Sequence, residues 1–154
     1  MKEREMIQTR DAQIQDASVL DGMLAQLIQC EKQWDANLDE NFVTEGNYSA
    51  MLEQEDCKLL VAEEAGQIIG YLCGFVLHQP GWLRPIAILD ALFVSGQYRG
   101  RGCATALIEE FKKFAVQKGA AGIELKVFSD KTAANKLYTD LAFKERRKYM
   151  RLEL

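Results

Sequence analysis

The residues with the clearest chemical meaning form a glycine-rich turn at the start of a predicted helix. The segment 97–104 reads Gln-Tyr-Arg-Gly-Arg-Gly-Cys-Ala, follows an apolar run, and opens a helix-patterned stretch that extends to about Lys118. Backbone N–H groups at a helix start lack partners inside the helix and lie at the positive end of its dipole. Glycine also lets a ligand approach the backbone closely. The segment therefore predicts a cradle for a phosphate-bearing cofactor.

Two common phosphate-binding motifs do not fit this turn. A nucleoside-triphosphate loop requires Gly-Lys-Ser/Thr, which the sequence does not contain. A dinucleotide-binding fold favours a third glycine where Thr105 stands, and an acidic residue about 20 residues further on. Glu124 has that spacing, but the first half of the chain shows hairpin signals instead of a doubly wound pattern. The alternative is a glycine-rich turn that binds no ligand. Two arginines beside two glycines at a helix start are, however, unusual for a turn without a ligand.

Two further side chains are candidates for proton transfer. Asp90 interrupts the otherwise apolar run 86–94, and a carboxylate in such a place must be paired, solvated by a cleft or shifted in pKa. It is the best candidate for a general base, acting directly or through a water; the alternative is a carboxylate paired for structural reasons. His78 is the rival base because imidazole titrates near neutrality, but its predicted turn favours a surface histidine.

A mixed α/β fold is expected to position these residues, with the element order β-α-α-β-β-β-α-β-α-β. The run 86–94 is nearly all apolar, as in a central strand that is covered on both faces. The helix after the glycine turn has one apolar stripe and one charged face. The other predicted elements are strands at 7–14, 59–63, 68–77, 123–127 and 143–154, a helix from Asp16, a short helix at 48–55, a helix ending near Leu141, and a hairpin turn at Ala65-Gly66.

Length and composition predict one domain spanning residues 1–154. The 154 residues are 48% apolar and 27% charged, which is ordinary for a globular protein. The net charge of −4 argues against a nucleic-acid partner, and no apolar run reaches the roughly 18–20 residues that cross a membrane. The segment 1–5 is charged and lacks the apolar core of a signal peptide. We therefore expect a cytoplasmic protein with neither a nucleic-acid nor a membrane partner.

The cysteines predict free thiols and no metal site. They are scattered along the chain without a Cys-x-x-Cys pair, and the sequence contains one histidine. Free thiols fit a reducing compartment. The four residues are Cys30, Cys57, Cys73 and Cys103.

Several motifs together resemble the GNAT superfamily of N-acetyltransferases. Gln97-x-x-Gly100-x-Gly102-x-Ala104 matches that family's Gln/Arg-x-x-Gly-x-Gly/Ala signature and stands where the family carries it, after strand four and at the start of helix three. The segment Asp90–Val94, the pair Leu137-Tyr138 and the pair Ala142-Phe143 fall at family-like spacings. The resemblance covers nearly the whole chain in element order. It implies the GNAT fold, a mixed and mostly antiparallel sheet flanked by helices, and acetyl-CoA as co-substrate, with no metal.

The resemblance also implies how the coenzyme is held. Backbone amides of the glycine turn would bind its pyrophosphate, assisted by the Thr105 hydroxyl. Backbone groups of Leu92, Phe93 and Val94 would pair with the pantetheine arm, and one of these N–H groups would polarise the thioester carbonyl. The turn residues carried over are Gln97, Tyr98, Arg99, Gly100, Arg101, Gly102, Cys103 and Ala104.

By this resemblance, Tyr138 matches the family's tyrosine, whose hydroxyl is expected to lie near the coenzyme sulfur and to act as general acid. Its spacing alone is equally that of a core tyrosine on an amphipathic helix. Asn135 lies on the same helical face and is expected to reach the coenzyme. The chain departs from the family at Lys131, where many members carry asparagine. Cys103 is interpreted as loop packing, because this family transfers the acetyl group directly and needs no enzyme nucleophile.

The acceptor is predicted to be a small basic amine, similar to a polyamine or an aminoglycoside. The segment between the first two helices carries several acidic residues with an aromatic ring, which suits a cationic amine. Trp34, Asp35 and Asp90 are the expected contacts. The alternatives are an amino group of a protein or peptide, and a GNAT-fold module that binds acetyl-CoA without turnover. A homodimer is possible through Trp82, Leu83 or the C-terminal strand.

Overall fold

A computed structural model describes residues 6–154 and contains a five-stranded sheet whose strands follow chain order. Strands β1 to β4 are antiparallel, and β5 is parallel to β4. The mixed, mostly antiparallel α/β fold is therefore confirmed, and residues 1–5 of the signal-peptide argument lie outside the described part. The strands are β1 (Gln8–Asp11), β2 (Cys57–Glu64), β3 (Gln67–Leu77), β4 (Ile86–Val94) and β5 (Ile123–Glu124); the helices are α1 (Ala17–Glu31), α2 (Asn47–Met51), α3 (Cys103–Gln117) and α4 (Thr132–Asp140).

Helices cover both faces of the sheet, which explains why its central strands are apolar on both sides. The apolar stripe of α3 packs on one face, where α4 adds partly buried residues, and α1 and α2 pack on the other. The first cluster includes Leu60, Leu72, Ala87 and Leu89 with Leu107, Ile108, Phe111 and Phe114 of α3. The second includes Leu59, Val61, Tyr71, Ala91 and Phe93 with Leu20 and Met23 of α1 and Tyr48 of α2.

The prediction of a last strand at 143–154 is wrong. The structure assigns no strand to these twelve residues, and almost all of their side chains are exposed. Seven of the twelve are charged, so the segment lacks the alternation that would hold one face against a core. Three other elements are shorter than predicted: β1, β5 and α2 span four, two and five residues.

A buried carboxylate fixes α2 against α1. Asp21 is only 4% exposed, and its two oxygens accept hydrogen bonds from the backbone N–H groups of Gly46 at 3.0 Å and Tyr48 at 3.3 Å. Gly46 has φ +72°, which a side chain would oppose. The five-residue helix is thus positioned by tertiary hydrogen bonds, because a helix this short has little stability of its own.

α3 packs tightly against the sheet at Gly74 of β3. A Cβ atom there would overlap the ring of Phe111 and lie 2.7 Å from the Ile88 carbonyl oxygen. Phe111 is fully buried. Glycine at this position therefore lets a phenylalanine ring of α3 lie directly on the strand that pairs with β4.

We expect Gly74→Ala to destabilise the protein by about 3 kcal/mol, since the added methyl group overlaps backbone and ring atoms that cannot move far. The fall in Tm would be about 9 °C. Gly22→Ala is the matched control: Gly22 lies in α1 with no atom within 4 Å of the added Cβ, so alanine should stabilise by about 0.5–1 kcal/mol. Thermal unfolding of both variants measures the two shifts, and equal shifts would contradict the packing argument.

Candidate active site

Asp90 is the extra residue of a β-bulge in the middle of β4. Cys73 of β3 pairs with Ala91 and the next residue, Gly74, pairs with Leu89, so Asp90 has no partner on β3. Before the bulge Leu89 points into the α3 cluster, and after it Ala91 points into the α1 cluster. The extra residue therefore exchanges the faces of the strand. It also leaves the Asp90 side chain exposed in an otherwise apolar strand. The carboxylate is therefore solvated, which is one of the three conditions under which such a strand can carry it.

The second half of β4 has an unpaired edge. β5 pairs with β4 only at Ala87 and Ile88, and within residues 6–154 no other strand borders that side. The Ser95 N–H donates to the Ile69 carbonyl on β3 at 2.9 Å. The N–H and C=O groups of successive residues in an antiparallel strand point to alternate sides. Since those of Ser95 point to β3, those of Leu92 and Val94 point toward the open side.

This alternation refines the predicted contacts of β4. Phe93 is paired with Tyr71 of β3 and directs its own backbone groups there. Of the three predicted residues, Leu92 and Val94 therefore present the accessible N–H and C=O groups. The Val94 carbonyl already accepts a hydrogen bond from Arg99 Nε at 3.0 Å, consistent with its outward direction.

The glycine turn adopts a conformation that requires its glycines. Gly100 has φ +72° and Gly102 has φ +83°, both in the left-handed region. No atom lies within 4 Å of a Cβ built on either residue, so the space beside them is open. Gly102 is the N-cap of α3 and directly precedes its first residue, Cys103. The first backbone N–H groups of α3 have no partner inside the helix, as in the phosphate cradle that the sequence predicts.

The start of α3 is anchored to the sheet beside β4. A Cβ on Gly70 of β3 would lie 2.7 Å from the Phe93 carbonyl oxygen and 3.2 Å from Cys103 Sγ. Cys103 is 2% exposed, and burial raises the pKa of its thiol to about 11. The thiol is thus protonated at neutral pH and packs as a small apolar group, as expected. Ala104 and Thr105 follow it and are half-buried.

Both arginines of the turn have protein partners. Arg99 binds the Val94 carbonyl, and Arg101 forms an ion pair with Glu64 and lies 5.5 Å from the centre of the Tyr98 ring. Gln97 is exposed and Tyr98 packs partly against the α3 cluster. In this structure the arginines are therefore engaged with other parts of the chain and hold the turn in shape.

Tyr138 lies half-buried on α4 against the α3 cluster. Its ring contacts Phe143 edge to face at 5.6 Å, and the Phe143 N–H donates to the Tyr138 carbonyl at 2.9 Å. Ala142 has φ +67° in this turn. Burial, with a smaller contribution from the Glu31 carboxylate, raises the pKa of Tyr138 to about 12. The phenol therefore keeps its proton at neutral pH and is available as a donor.

Asn135 stabilises the loop before α4. Its Nδ2 donates to the backbone carbonyls of Phe128 at 2.9 Å, Ser129 at 3.3 Å and Lys131 at 2.9 Å. The amide nitrogen is thus committed to the loop, and only the oxygen is left for another partner. The structure therefore gives Asn135 a positioning role for the segment that precedes Tyr138.

The predicted acceptor residues at the end of α1 are paired within the chain. Asp35 binds Arg151 of the C-terminal segment, and this pairing lowers the pKa of Asp35 to about 2. The Trp34 ring stacks on Phe128 at 6.3 Å, and Lys131 Nζ lies 5.4 Å above the Trp34 ring. The structure thus brings Trp34 close to the start of α4, but no bare acidic surface remains at Asp35.

His78 lies far from the glycine turn. Its Nε2 is 3.6 Å from Asp56, which also accepts a hydrogen bond from Lys118 at 3.4 Å. Lys118 follows the last residue of α3, so His78 sits near the opposite end of this 15-residue helix, about 22 Å from the turn. With 65% of its side chain exposed, His78 fits a surface histidine and not a base at the open edge.

Two groups of residues near the site were not predicted from sequence. Tyr48 and Tyr71 share a hydrogen bond of 2.8 Å between buried hydroxyls. Burial raises the pKa of both, with a contribution from Asp90. The second group is the ion pair of Lys131 with Glu31 at 2.8 Å. Glu31 belongs to the predicted acidic segment and Lys131 departs from the family's asparagine, but nothing in the sequence indicated that the two would pair.

Two searches of the described structure bear on cofactors and membranes. Residues 6–154 contain no group of three or more histidine, cysteine, aspartate or glutamate side chains arranged to hold a metal ion. Over the same range, no helix has the length and apolar character needed to cross a membrane.

The chain is similar to several curated N-acetyltransferases. It is 30% identical over 96 residues to the uncharacterized N-acetyltransferase YhfO of Bacillus subtilis, an alignment covering 62% of this chain and 64% of the relative. It is 31% identical over 94 residues to the probable N-acetyltransferase family 8 member 5 of Mus musculus, covering 61% and 41%. These alignments thus span about two fifths to two thirds of the relatives' lengths.

Solved structures with the same fold cover almost the whole chain. The tetramutant of the BH1408 protein from Bacillus halodurans superposes with a TM-score of 0.85 at 20% identity, covering 96% of this chain and 99% of that one. An aminoglycoside acetyltransferase, HMB0005, from an uncultured soil metagenomic sample has a TM-score of 0.75 at 24% identity, covering 97% and 99%. The aminoglycoside N-acetyltransferase AAC(6')-Iy in complex with CoA has a TM-score of 0.77 at 17% identity, covering 100% and 98%.

A family model also matches most of the chain. The model described as the acetyltransferase (GNAT) family matches residues 23–143, a range that runs from α1 through the bulge, the glycine turn and α4 to Phe143. The match covers well over half of the chain and includes every element that forms the candidate site. Together with the strand order and the open edge of β4, it shows that this chain belongs to the GNAT acetyltransferase family.

Proposed function

We propose that this chain transfers the acetyl group of acetyl-CoA directly to the primary amine of a small molecule. The observation that carries the proposal is the unpaired edge of β4, which lies between a glycine turn at the start of α3 and an exposed carboxylate at the bulge. A backbone edge can pair with an extended amide-containing chain, and a helix start with open N–H groups can hold phosphate. The pantetheine arm and the pyrophosphate of a coenzyme need those two features.

The residues present fit the coenzyme. The N–H groups at the start of α3, following Gly100 and Gly102, would hold the pyrophosphate, and Leu92 and Val94 would pair with the pantetheine arm. When bound, acetyl-CoA supplies a thioester carbonyl as the acceptor of the amine nitrogen. An N–H of Leu92 or Val94 directed at that oxygen would stabilise the charge that develops on it.

Asp90 would accept the proton of the amine, and Tyr138 would stabilise the departing sulfur. Asp90, exposed at the bulge, would accept the proton that the amine must lose, directly or through a water. Tyr138 would donate to the departing sulfur. Since its pKa is about 12 and that of a thiol is about 8.5, full proton transfer to the thiolate is uphill by about 5 kcal/mol. Tyr138 therefore acts by donating a hydrogen bond that stabilises the thiolate, more than by losing its proton.

A small basic amine is the acceptor class that the neighbours favour. Four of the superposed structures are aminoglycoside acetyltransferases. A protein amino group has support from one neighbour, a ribosomal-protein-alanine N-acetyltransferase from Brucella melitensis with a TM-score of 0.71 at 17% identity, covering 97% of this chain and 100% of that one. A small basic amine therefore leads, and an amino group of a protein or peptide is second.

Two other expectations belong to this proposal. A cytoplasmic location is supported by the free thiols of Cys30, Cys57, Cys73 and Cys103.

Self-association is supported by fully exposed Leu83 and by the exposed apolar side chains of Tyr149, Met150, Leu152 and Leu154. Light scattering of the purified chain measures its mass in solution, and a monomer at high concentration would refute self-association.

The test of the function is coenzyme A release from acetyl-CoA in the presence of polyamines, aminoglycosides, arylamines and lysine peptides, with blanks for the four protein thiols. Turnover with one class supports transfer and identifies the acceptor. Turnover confined to peptides would favour the second candidate. Tight acetyl-CoA binding with no turnover on any amine would identify a binding module and overturn the proposal.

We expect Tyr138→Phe to lower kcat at least about tenfold with little change in the KM for acetyl-CoA, since only the hydrogen bond to the sulfur is lost. The pKa of about 12 also predicts that ionisation of Tyr138 causes no loss of wild-type activity below about pH 11. Tyr149→Phe is the matched control, because Tyr149 is 80% exposed. Steady-state kinetics measure both variants, and an unchanged kcat in Tyr138→Phe would contradict the assignment.

We expect Asp90→Asn to lower kcat/KM for the amine by about 100-fold and to flatten the rise of the rate with pH, because an amide cannot accept the proton. Glu109→Gln, on the outer face of α3, removes a charge far from the bulge and should keep the wild-type profile. The measurement is a pH–rate profile for each protein. A profile of Asp90→Asn that matches the wild type would assign the base to another group.

A further inference from the structure

Both carboxylates at the end of α1 are already paired with cations of this chain. Glu31 Oε1 lies 2.8 Å from Lys131 Nζ, and Asp35 accepts a hydrogen bond from Arg151 Nη1 at 3.0 Å. The exposed fractions of the two carboxylate side chains are 24% and 11%. The segment that was predicted to attract a cationic amine therefore carries its own counter-ions.

The Lys131 ammonium occupies a place that is suited to any primary ammonium ion. A carboxylate holds it on one side, and the face of the Trp34 ring lies 5.4 Å from it on another. Trp34 is itself stacked on Phe128, and this contact fixes the position of the Trp34 ring. An anionic oxygen and an aromatic face are the two groups that bind ammonium ions most effectively in proteins.

The backbone of Lys131 is fixed by hydrogen bonds at the start of the helix that carries Tyr138. Asn135 Nδ2 donates to its carbonyl at 2.9 Å and also binds the Phe128 carbonyl, so the backbone of the loop is fixed. Tyr138 lies about two helical turns further along α4. The Glu31 carboxylate contributes to the raised pKa of Tyr138, which places the ion pair within electrostatic reach of the phenol.

Resting on the proposed function, we propose that Lys131 determines specificity at the acceptor site by excluding a second positive charge. Its ammonium fills the position beside Glu31 and Trp34 that a second ammonium of a diamine would need. A diamine that places its reacting nitrogen near Tyr138 meets a neutralised carboxylate and a like charge there. A monoamine carries no second charge and meets no such repulsion. The chain therefore acetylates a monoamine more efficiently than the matched diamine, which narrows the proposed small basic amine to one that carries no second ammonium group at this position.

The experiment compares butylamine with 1,4-diaminobutane as acceptors, through the ratio of their kcat/KM values. Wild type should favour butylamine. Lys131→Gln should shift the ratio toward the diamine about tenfold, the scale of one charge-assisted hydrogen bond to the freed Glu31. Lys136→Gln is the matched control: Lys136 also lies on α4 in an ion pair, with Asp140 at 2.8 Å, but its side chain is 77% exposed. This variant should keep the wild-type ratio.

Two outcomes overturn the inference. The first is an unchanged ratio in Lys131→Gln; if both amines lose activity equally, Lys131 would be part of the general machinery. The second comes from the double variant Lys131→Gln, Glu31→Gln: it should lose the gain for the diamine, and a gain that persists without Glu31 contradicts the assigned partner.

A failure of the proposed function is distinguishable from a failure of this inference. If wild type acetylates neither amine, binding decides the role of Lys131. Trp82→Phe leaves Trp34 as the single tryptophan of a chain that contains two, so its fluorescence reports on the ion-pair position. In that background, 1,4-diaminobutane should give a saturable change with Lys131→Gln and none with Lys131 present. The same response in both proteins would overturn the inference.

Discussion

The one extra residue in β4 is the constraint on which the rest of the site depends. A strand that is covered on both faces has no natural place for a carboxylate, and Asp90 is tolerated because the bulge removes it from the ladder and exposes it. The same bulge exchanges the faces of the strand, so that Ala91 and Phe93 join the α1 cluster. Beyond Ile88, β5 no longer pairs with β4. An exposed carboxylate, an exchange of the strand's two faces and an unpaired backbone edge therefore occur together at one point of the sheet.

Electrostatic pairing organises the surroundings of this edge. Within the glycine turn the arginines are engaged with Val94 and Glu64. At the end of α1, carboxylates are engaged by Lys131 and Arg151, which come from two later segments of the chain. The Lys131–Glu31 pair is partly buried, so it is screened less by salt than exposed pairs are. The end of α1 is thus closer to neutral than its sequence indicates.

Some of this architecture could be predicted from the sequence, and for local reasons. The bounds of β4 follow from an apolar run that only Asp90 interrupts, and the β2–β3 turn follows from Ala65-Gly66, whose φ values of +52° and +76° suit a tight hairpin. The bulge could not be predicted, because it is defined by the register of β3. The pairing of Glu31 with Lys131 joins residues 100 positions apart. The absent last strand shows that apolar residues in a charged segment do not ensure a partner edge.

The left-handed glycines at 100 and 102 also bear on how such chains diverge. A cradle made of main-chain N–H groups demands two residues without side chains and a helix start, and it places almost no demand on the identity of the other side chains. Substitutions can accumulate elsewhere in the turn without loss of the ligand-binding geometry. This is the behaviour expected of a fold that superposes with TM-scores of 0.75 to 0.85 on chains only 17% to 24% identical to it.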